Sequence, residues 1–199
     1  MQKALHWFHH AIQGKPRIFA AWIAGFVLIL SSRDYPNLPG ILVCLVGASL
    51  RYWASGFLRK DTRPAVGGPY AWVRNPLYLG TYLMALGATM AVGQWALLVV
   101  LSVAFALIYH FIILEEEIKL ERIFGAPYLE YCKLVPRFFP RPWPASEEKL
   151  KSVNPEAEHL VFSSELARKN KAFEAYATFA VLIAFTSLAA FIWKSGWLS

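Results

Sequence analysis

Two short segments, residues 67–80 and 115–140, concentrate the side chains of this sequence that can do chemistry. They contain ionisable and aromatic residues: Tyr70, Arg74, Tyr78, Glu116, Glu117 and Tyr128. A carboxylate complements an ammonium group, a guanidinium complements a carboxylate or a phosphate, and an aromatic ring can face a cation. The residue types therefore predict a polar binding site, provided that the fold brings the two segments to one place.

Each segment by itself also has a plain structural interpretation. Asn75 fits the N-cap of a helix, and Pro76 fits its first position, where a missing N–H costs nothing. The glutamates fit a solvated helix that continues beyond an apolar stretch and carries ordinary surface charges. Neither interpretation explains why Arg74 lies between two tyrosines at the same helix end.

Taken together, the segments resemble the isoprenylcysteine carboxyl methyltransferase family and, more loosely, the membrane phospholipid methyltransferases. That family pairs Gly-x-Tyr…Arg-His-Pro-x-Tyr-x-Gly with a later Glu-Glu-x-x-Leu-x-x-x-Phe-Gly-x-x-Tyr-x-x-Tyr…Val-Pro…Pro. Here the first half runs from Gly68 to Gly80 and the second from Glu116 to Pro140, with matching spacing over about residues 65–140. The family's histidine is Asn75 in this chain, and asparagine can hydrogen-bond but cannot ionise.

The resemblance implies S-adenosylmethionine as cofactor and a pocket that these positions line. The cofactor-binding residues predicted in this way are Tyr70, Arg74, Asn75, Pro76, Tyr78, Leu79, Glu116, Glu117 and Tyr128. His110, near Tyr109 in the fourth apolar run, could line the same cavity. Within this set, either glutamate is a candidate for the cofactor ammonium. Arg74 is a candidate for the cofactor carboxylate or for a phosphate headgroup. Tyr70, Tyr78 or Tyr128 could face the sulfonium.

The acceptor implied by the resemblance is lipid-like, either a prenylated cysteine carboxylate or a lipid amine. A carboxylate acceptor needs no base but needs a cation to orient it, and Arg137 and Arg51 are the candidates. An amine acceptor must lose a proton, and Glu117 is then the candidate base. A non-catalytic, lipid-binding membrane protein that retains the fold is the alternative of another class, because Asn75 replaces the family histidine.

The elements that carry these residues are predicted to be membrane-spanning helices. The sequence is 57% hydrophobic and only 17% charged, with mean hydropathy +0.39. Its apolar runs predict five spans, in an all-α polytopic bundle that forms one domain over residues 1–199: Ile18–Ser32, Leu38–Leu58, Leu77–Val92, Trp95–Leu114 and about 172–193. The third and fourth form a hairpin that turns at Gly93-Gln94. The segment Glu115–Pro140 is predicted to be a cytoplasmic helix that closes the cofactor site.

The placement of basic residues predicts a cytoplasmic N-terminus and an outer C-terminus. In that orientation 17 of the 20 lysines and arginines lie inside, and only Arg33 and Lys194 lie outside. The remaining one, Arg51, falls within the second span. It either faces a cavity or partner or extends its side chain to the inner interface.

No metal site and no nucleic-acid partner are predicted. Three histidines, His6, His9 and His10, cluster near the N-terminus without a neighbouring acidic residue or cysteine. We interpret them as part of an interfacial amphipathic segment. The oligomeric state is left open by the sequence.

Overall fold

The fold is that of a computed structural model, which describes residues 15–59, 64–156 and 160–196. Within these ranges it is all-α, as predicted, with eight α-helices, one short 3-10 turn and no β-strand. The helices are α1 Lys15–Leu30, α2 Leu38–Ser55, α3 Pro76–Ala91, α4 Trp95–Phe124, α5 Ala126–Leu134, α6 Glu147–Val153, α7 Ser164–Lys169 and α8 Glu174–Lys194. The 3-10 turn, Gly68–Ala71, precedes α3. The N-terminal histidines lie outside the described residues.

Three of the helices, α2, α4 and α8, are long and apolar enough to cross a membrane. They lie where the second, fourth and fifth spans are predicted, and they make a multi-pass membrane protein plausible. The first and third predicted spans are also helical, but α1 and α3 have 16 residues each. A span needs roughly 20 residues, so five crossings remain a prediction.

The predicted hairpin is confirmed between α3 and α4. Helix α3 ends at Ala91 and α4 begins at Trp95. Gly93 lies between them with φ +73°, a backbone conformation that glycine adopts at no steric cost. Pro76 starts α3 as predicted, because its fixed φ suits the first turn of a helix.

Helices α2 and α3 form the tightest helix pair, because small residues let their backbones approach. A Cβ added at Gly47 would lie 2.6 Å from the Gly80 carbonyl oxygen, and one added at Gly40 would lie 2.2 Å from the Ala91 nitrogen. Such close approach through small residues is the usual way for helices to associate within a membrane. This pair holds the N-terminal end of α3 in a fixed position.

The prediction of a single helix over Glu115–Pro140 is wrong. Helix α4 continues from its apolar part through the glutamates to Phe124, where Gly125 interrupts it with φ +61°. The short helix α5 follows, and residues 135–140 are irregular. The chain breaks here because Gly125 tolerates the left-handed conformation and Pro127 has no N–H to continue the helical bonding pattern.

A compact apolar cluster anchors the segment after α4 against the chain before α3. It consists of buried residues from three stretches of the chain: Val66, Ala71, Tyr128, Tyr131, Val135, Leu150 and Val153. The Tyr131 hydroxyl donates a 2.7 Å hydrogen bond to the Tyr70 carbonyl oxygen. Through this cluster, the fold brings the two chemistry-bearing segments together.

Candidate functional site

The centre of the site is Glu117, which lies between two arginines. Its Oε1 is 2.8 Å from Arg74 Nη2, and its Oε2 is 2.7 Å from Arg137 Nη2. The Glu117 side chain is only 11% exposed and that of Arg74 only 9%, whereas that of Arg137 is 41% exposed. Both carboxylate oxygens therefore face a cation, and the cluster carries one net positive charge that is open to solvent at Arg137.

Backbone hydrogen bonds hold Arg74 against the segment that follows α5. The Arg74 backbone N–H donates to the Pro136 carbonyl oxygen over 2.9 Å, and its Nη1 donates to the Cys132 carbonyl oxygen over 3.0 Å. These contacts join residues about sixty positions apart in the sequence. They hold Arg74 in the position from which its Nη2 contacts Glu117.

Asn75 occupies the N-cap position of α3, as predicted, but its side chain makes no capping hydrogen bond. Its Nδ2 instead donates a 2.9 Å hydrogen bond to the Arg137 carbonyl oxygen. The capping role proposed for this side chain is therefore wrong, because the amide faces the incoming chain rather than the first turn of its own helix.

Glu116 points to a different neighbour from Glu117. The Tyr78 hydroxyl donates a 2.5 Å hydrogen bond to Glu116 Oε2, and the Tyr78 ring meets the Tyr109 ring edge-on at 5.3 Å between centroids. Glu116 is exposed, so its carboxylate remains accessible beside these rings. Successive residues of a helix point in directions about 100° apart, which separates the two glutamates.

Two buried tyrosines lie behind the charged residues. Burial raises the pKa of the Tyr70 hydroxyl well above its ordinary value, and the nearby Glu116 and Tyr78 raise it further. Burial likewise raises the pKa of Tyr128. Both phenols are therefore neutral at physiological pH. The Tyr70 hydroxyl is buried and finds no hydrogen-bond partner among the residues that the structure describes.

The structure also describes the surroundings of three other predicted site residues. Arg51 contacts the N-terminal part of α3, where its Nη1 donates to the Leu77 carbonyl oxygen over 3.3 Å and to the Thr81 hydroxyl. His110 is exposed on α4, and its ring contacts Phe111 edge-on. Leu79 is half-buried on the first turn of α3.

An aromatic cluster, which the sequence analysis did not predict, adjoins the site. It comprises rings from α3, α4 and the chain after α5: Tyr78, Tyr82, Phe105, Tyr109 and Phe138. Phe105 and Tyr109 stack at 3.7 Å between centroids, and Phe138 lies 6.0 Å from Phe105. The four-residue spacing of Phe105 and Tyr109 on α4 was the available signal, since such residues share one helix face.

The resemblance to membrane methyltransferases is confirmed by comparison with known proteins. Residues 36–127, somewhat under half of the chain, match the family described as phospholipid methyltransferase. This stretch includes α2, the hairpin and both glutamates, and it ends before Tyr128 and Arg137. No solved structure matches the chain.

Similar curated proteins fall into two groups. The chain is 32% identical to the cobalt-zinc-cadmium resistance protein CzcN of Cupriavidus metallidurans, over 64% of this chain and 56% of that protein. It is 30% identical to the nickel-cobalt-cadmium resistance protein NccN of Alcaligenes xylosoxydans xylosoxydans, over 60% and 53%. It is also 32% identical to the protein-S-isoprenylcysteine O-methyltransferase of Schizosaccharomyces pombe, over 47% and 40%. The chain thus spans only about half the length of the curated relatives that it matches.

Proposed function

Since this chain is similar to the phospholipid and isoprenylcysteine methyltransferases, we propose that it transfers a methyl group from S-adenosylmethionine to a lipid-like acceptor at the cytoplasmic membrane face. The observation that carries the proposal is the pairing of Tyr78 with the exposed Glu116 beside the Arg74–Glu117–Arg137 cluster. An accessible carboxylate, an aromatic ring and a partly exposed guanidinium lie together at one end of α3 and α4.

The residues present fit such a cofactor. Three buried polar atoms at the site, Tyr70 Oη, Arg74 Nε and Arg137 Nε, lack a hydrogen-bond partner in the described part of the chain. A buried polar group without a partner is costly, so a polar ligand would be favoured there. Glu116 would hold the ammonium and Arg137 the carboxylate, while Tyr78 would face the sulfonium. The cofactor would supply the electrophilic methyl group.

The surroundings of Glu117 favour an acceptor that needs no base. Both oxygens of this carboxylate already contact a guanidinium, at 2.8 and 2.7 Å, whereas a general base must have an oxygen within hydrogen-bond reach of the proton that it removes. A carboxylate acceptor, such as that of a prenylated cysteine, attacks without losing a proton. A lipid amine remains the alternative acceptor, and its deprotonation would need a base other than Glu117. Arg137, more exposed than Arg74, is the cation that we assign to orienting the acceptor or the cofactor carboxylate.

The experiment uses the full chain purified in detergent and then returned to lipid. Binding of S-adenosylmethionine is measured by calorimetry, and radiolabelled methyl transfer is measured into membrane extracts and into a farnesylcysteine analogue. We expect Glu116→Gln to weaken cofactor binding by roughly 1.5–3 kcal/mol, the value of a charged hydrogen bond, and Glu115→Gln to weaken it less. Binding without transfer to any acceptor would support the non-catalytic lipid-binding alternative. Absence of binding would refute both the assignment of S-adenosylmethionine as cofactor and the proposed methyl transfer.

A further inference from the structure

The chain between α5 and α6 contains an unusual exposed segment, residues 136–144, which we name the proline loop. Its sequence is PRFFPRPWP. Phe139 and Trp143 are each 80% exposed, among the most exposed large apolar side chains that the structure describes. Exposed aromatic rings next to arginines are typical of the interface between a membrane and water.

The position of Phe138 places the loop at membrane depth. Its ring lies 6.0 Å from that of Phe105 and 6.2 Å from that of Tyr82, between centroids. Phe105 precedes Glu115, the first charged residue of α4, by ten positions, which corresponds to about 15 Å along a helix. Phe138 therefore packs beside the apolar part of α4, on the membrane side of the glutamates. Its neighbour Phe139 meets it edge-on and turns outward.

The backbone of the loop is suited to the membrane interface. Irregular chain exposed to lipid does not occur within the hydrocarbon core, because its backbone N–H and C=O groups would lack partners there, so the loop backbone stays at the interfacial level. Four of the nine residues are prolines, which have no N–H. The loop is also tied to the turn before α3, because Pro136 and Arg137 accept hydrogen bonds from Arg74 and Asn75 through their carbonyl oxygens.

The charge of the loop and its position beside α4 identify the surface that it would meet. Arg141 is exposed, and one of its nitrogens donates to the Leu134 carbonyl oxygen, which leaves further N–H donors for a phosphate. The adjoining helix α4 presents a row of exposed apolar residues: Val99, Val100, Val103, Leu107 and Phe111. With about 100° between successive residues, this row lies on the face of α4 away from Phe105, so it marks the face of α4 that lipid would cover. The loop itself, through Phe138, lies beside a helix that is long and apolar enough to span a membrane.

We propose that the proline loop inserts into the lipid leaflet next to α4. Phe139 reaches the boundary of the acyl chains, Trp143 lies at the headgroup level, and Arg141 binds the phosphate of an anionic lipid. Arg137 belongs both to this loop and to the charged cluster at Glu117, so lipids that touch the loop lie beside the candidate site. The inference concerns binding of the loop to lipid and holds whether or not the chain transfers methyl groups.

The test compares three single cysteines in the full chain with Cys44 and Cys132 replaced by alanine. Phe139→Cys, Trp143→Cys and the exposed control Lys149→Cys on α6 are labelled with an environment-sensitive fluorophore. Each protein is placed in nanodiscs of phosphatidylcholine and phosphatidylglycerol, with or without lipid spin-labelled near the top of the acyl chain. We expect blue-shifted, quenched emission at 139, a smaller shift at 143, and water-like, unquenched emission at 149. Emission at 139 and 143 that equals emission at 149 would overturn the proposal.

A second measurement needs no cysteine and uses the native Trp143. The difference in fluorescence between the natural chain and Trp143→Phe isolates this tryptophan, and brominated lipids should quench that difference. No quenching of it would again refute insertion, and would point instead to a protein partner or a second copy on this surface. For the headgroup contact, Arg141→Gln should abolish the effect of phosphatidylglycerol on the fluorophore at 143. If that effect persists, the assignment of Arg141 to a lipid phosphate is wrong.

Discussion

The Asn75 side chain reaches across to the backbone of Arg137 and donates a 2.9 Å hydrogen bond to its carbonyl oxygen. This bond joins the start of α3 to the segment that presents the second arginine of the Glu117 cluster. An asparagine at this position therefore has a structural role that requires no ionisation.

The role of Asn75 can be tested with Asn75→Asp, which keeps the shape but replaces the N–H donor with an acceptor. Two oxygens would then face each other across the former hydrogen bond, and we expect a loss of about 1–3 kcal/mol in stability. Thermal unfolding in detergent would measure it. Asn75→His, which restores the residue of the resembled family and retains a ring N–H, should lose less. Equal melting of both variants and the natural chain would contradict this role.

Glu117→Gln should destabilise the fold, because it leaves two guanidiniums close together without a counter-charge. Breaking a fully buried pair costs about 3–5 kcal/mol. The Arg137 side chain is 41% exposed and solvent screens it, so we expect a smaller loss of about 1–3 kcal/mol. The same measurement on Glu121→Gln, an exposed glutamate one turn further along α4, provides the control. A melting temperature for Glu117→Gln as high as that of the control would mean that the cluster adds nothing to stability.

Arg51 should matter for transfer more than for cofactor binding, because it is a candidate cation for the acceptor and its side chain contacts Leu77 and Thr81 near the start of α3. We expect Arg51→Leu to retain affinity for S-adenosylmethionine but to lower transfer to a lipid acceptor by at least about tenfold, equivalent to roughly 1.4 kcal/mol. Arg51→Lys keeps the charge and should retain part of the activity if the charge is what acts. Unchanged turnover in Arg51→Leu would assign the side chain to holding α2 against α3 alone.

Gly47→Ala should force α2 and α3 apart. The added Cβ would lie 2.6 Å from the Gly80 carbonyl oxygen and 2.7 Å from the Met84 nitrogen, and neither backbone atom can move freely. Overpacking of this kind typically costs about 1–3 kcal/mol. Gly25→Ala on α1 is the matched control, since its Cβ would meet nothing within 4 Å. If the two variants unfold alike, the close approach is not stabilising.

The orientation in the membrane is tested by labelling cysteines from either side of sealed vesicles. Lys133→Cys on α5 should react only from the cytoplasmic side, whereas Asp34→Cys, in the loop between α1 and α2, should react only from the outer side. Both positions are exposed, so lack of reaction would reflect the membrane rather than burial. Outer-side labelling at 133 would reverse the predicted topology.

Much of the helical framework follows from local sequence. Apolar runs predicted where α2, α4 and α8 would form, because long uncharged stretches satisfy their backbone polar groups within a helix. Gly93 indicated the hairpin turn, because glycine permits a positive φ. Pro76 indicated the start of α3, because proline fixes φ at a helical value. Gly125 and Pro127 also indicate a helix end at this point. The prediction of one helix over Glu115–Pro140 followed the apolar stripe around Leu120 and Phe124 instead, and so missed the break.

The partners of the charged side chains were decided only by the tertiary structure. The sequence did not distinguish the roles of Glu116 and Glu117. In the structure, neighbouring helical residues point about 100° apart, so Glu116 contacts Tyr78 whereas Glu117 contacts two arginines. The direction of Arg51 depended on how closely α2 approaches α3 at Gly80. These outcomes depend on contacts between residues far apart in sequence, and neither local propensity nor spacing contains that information.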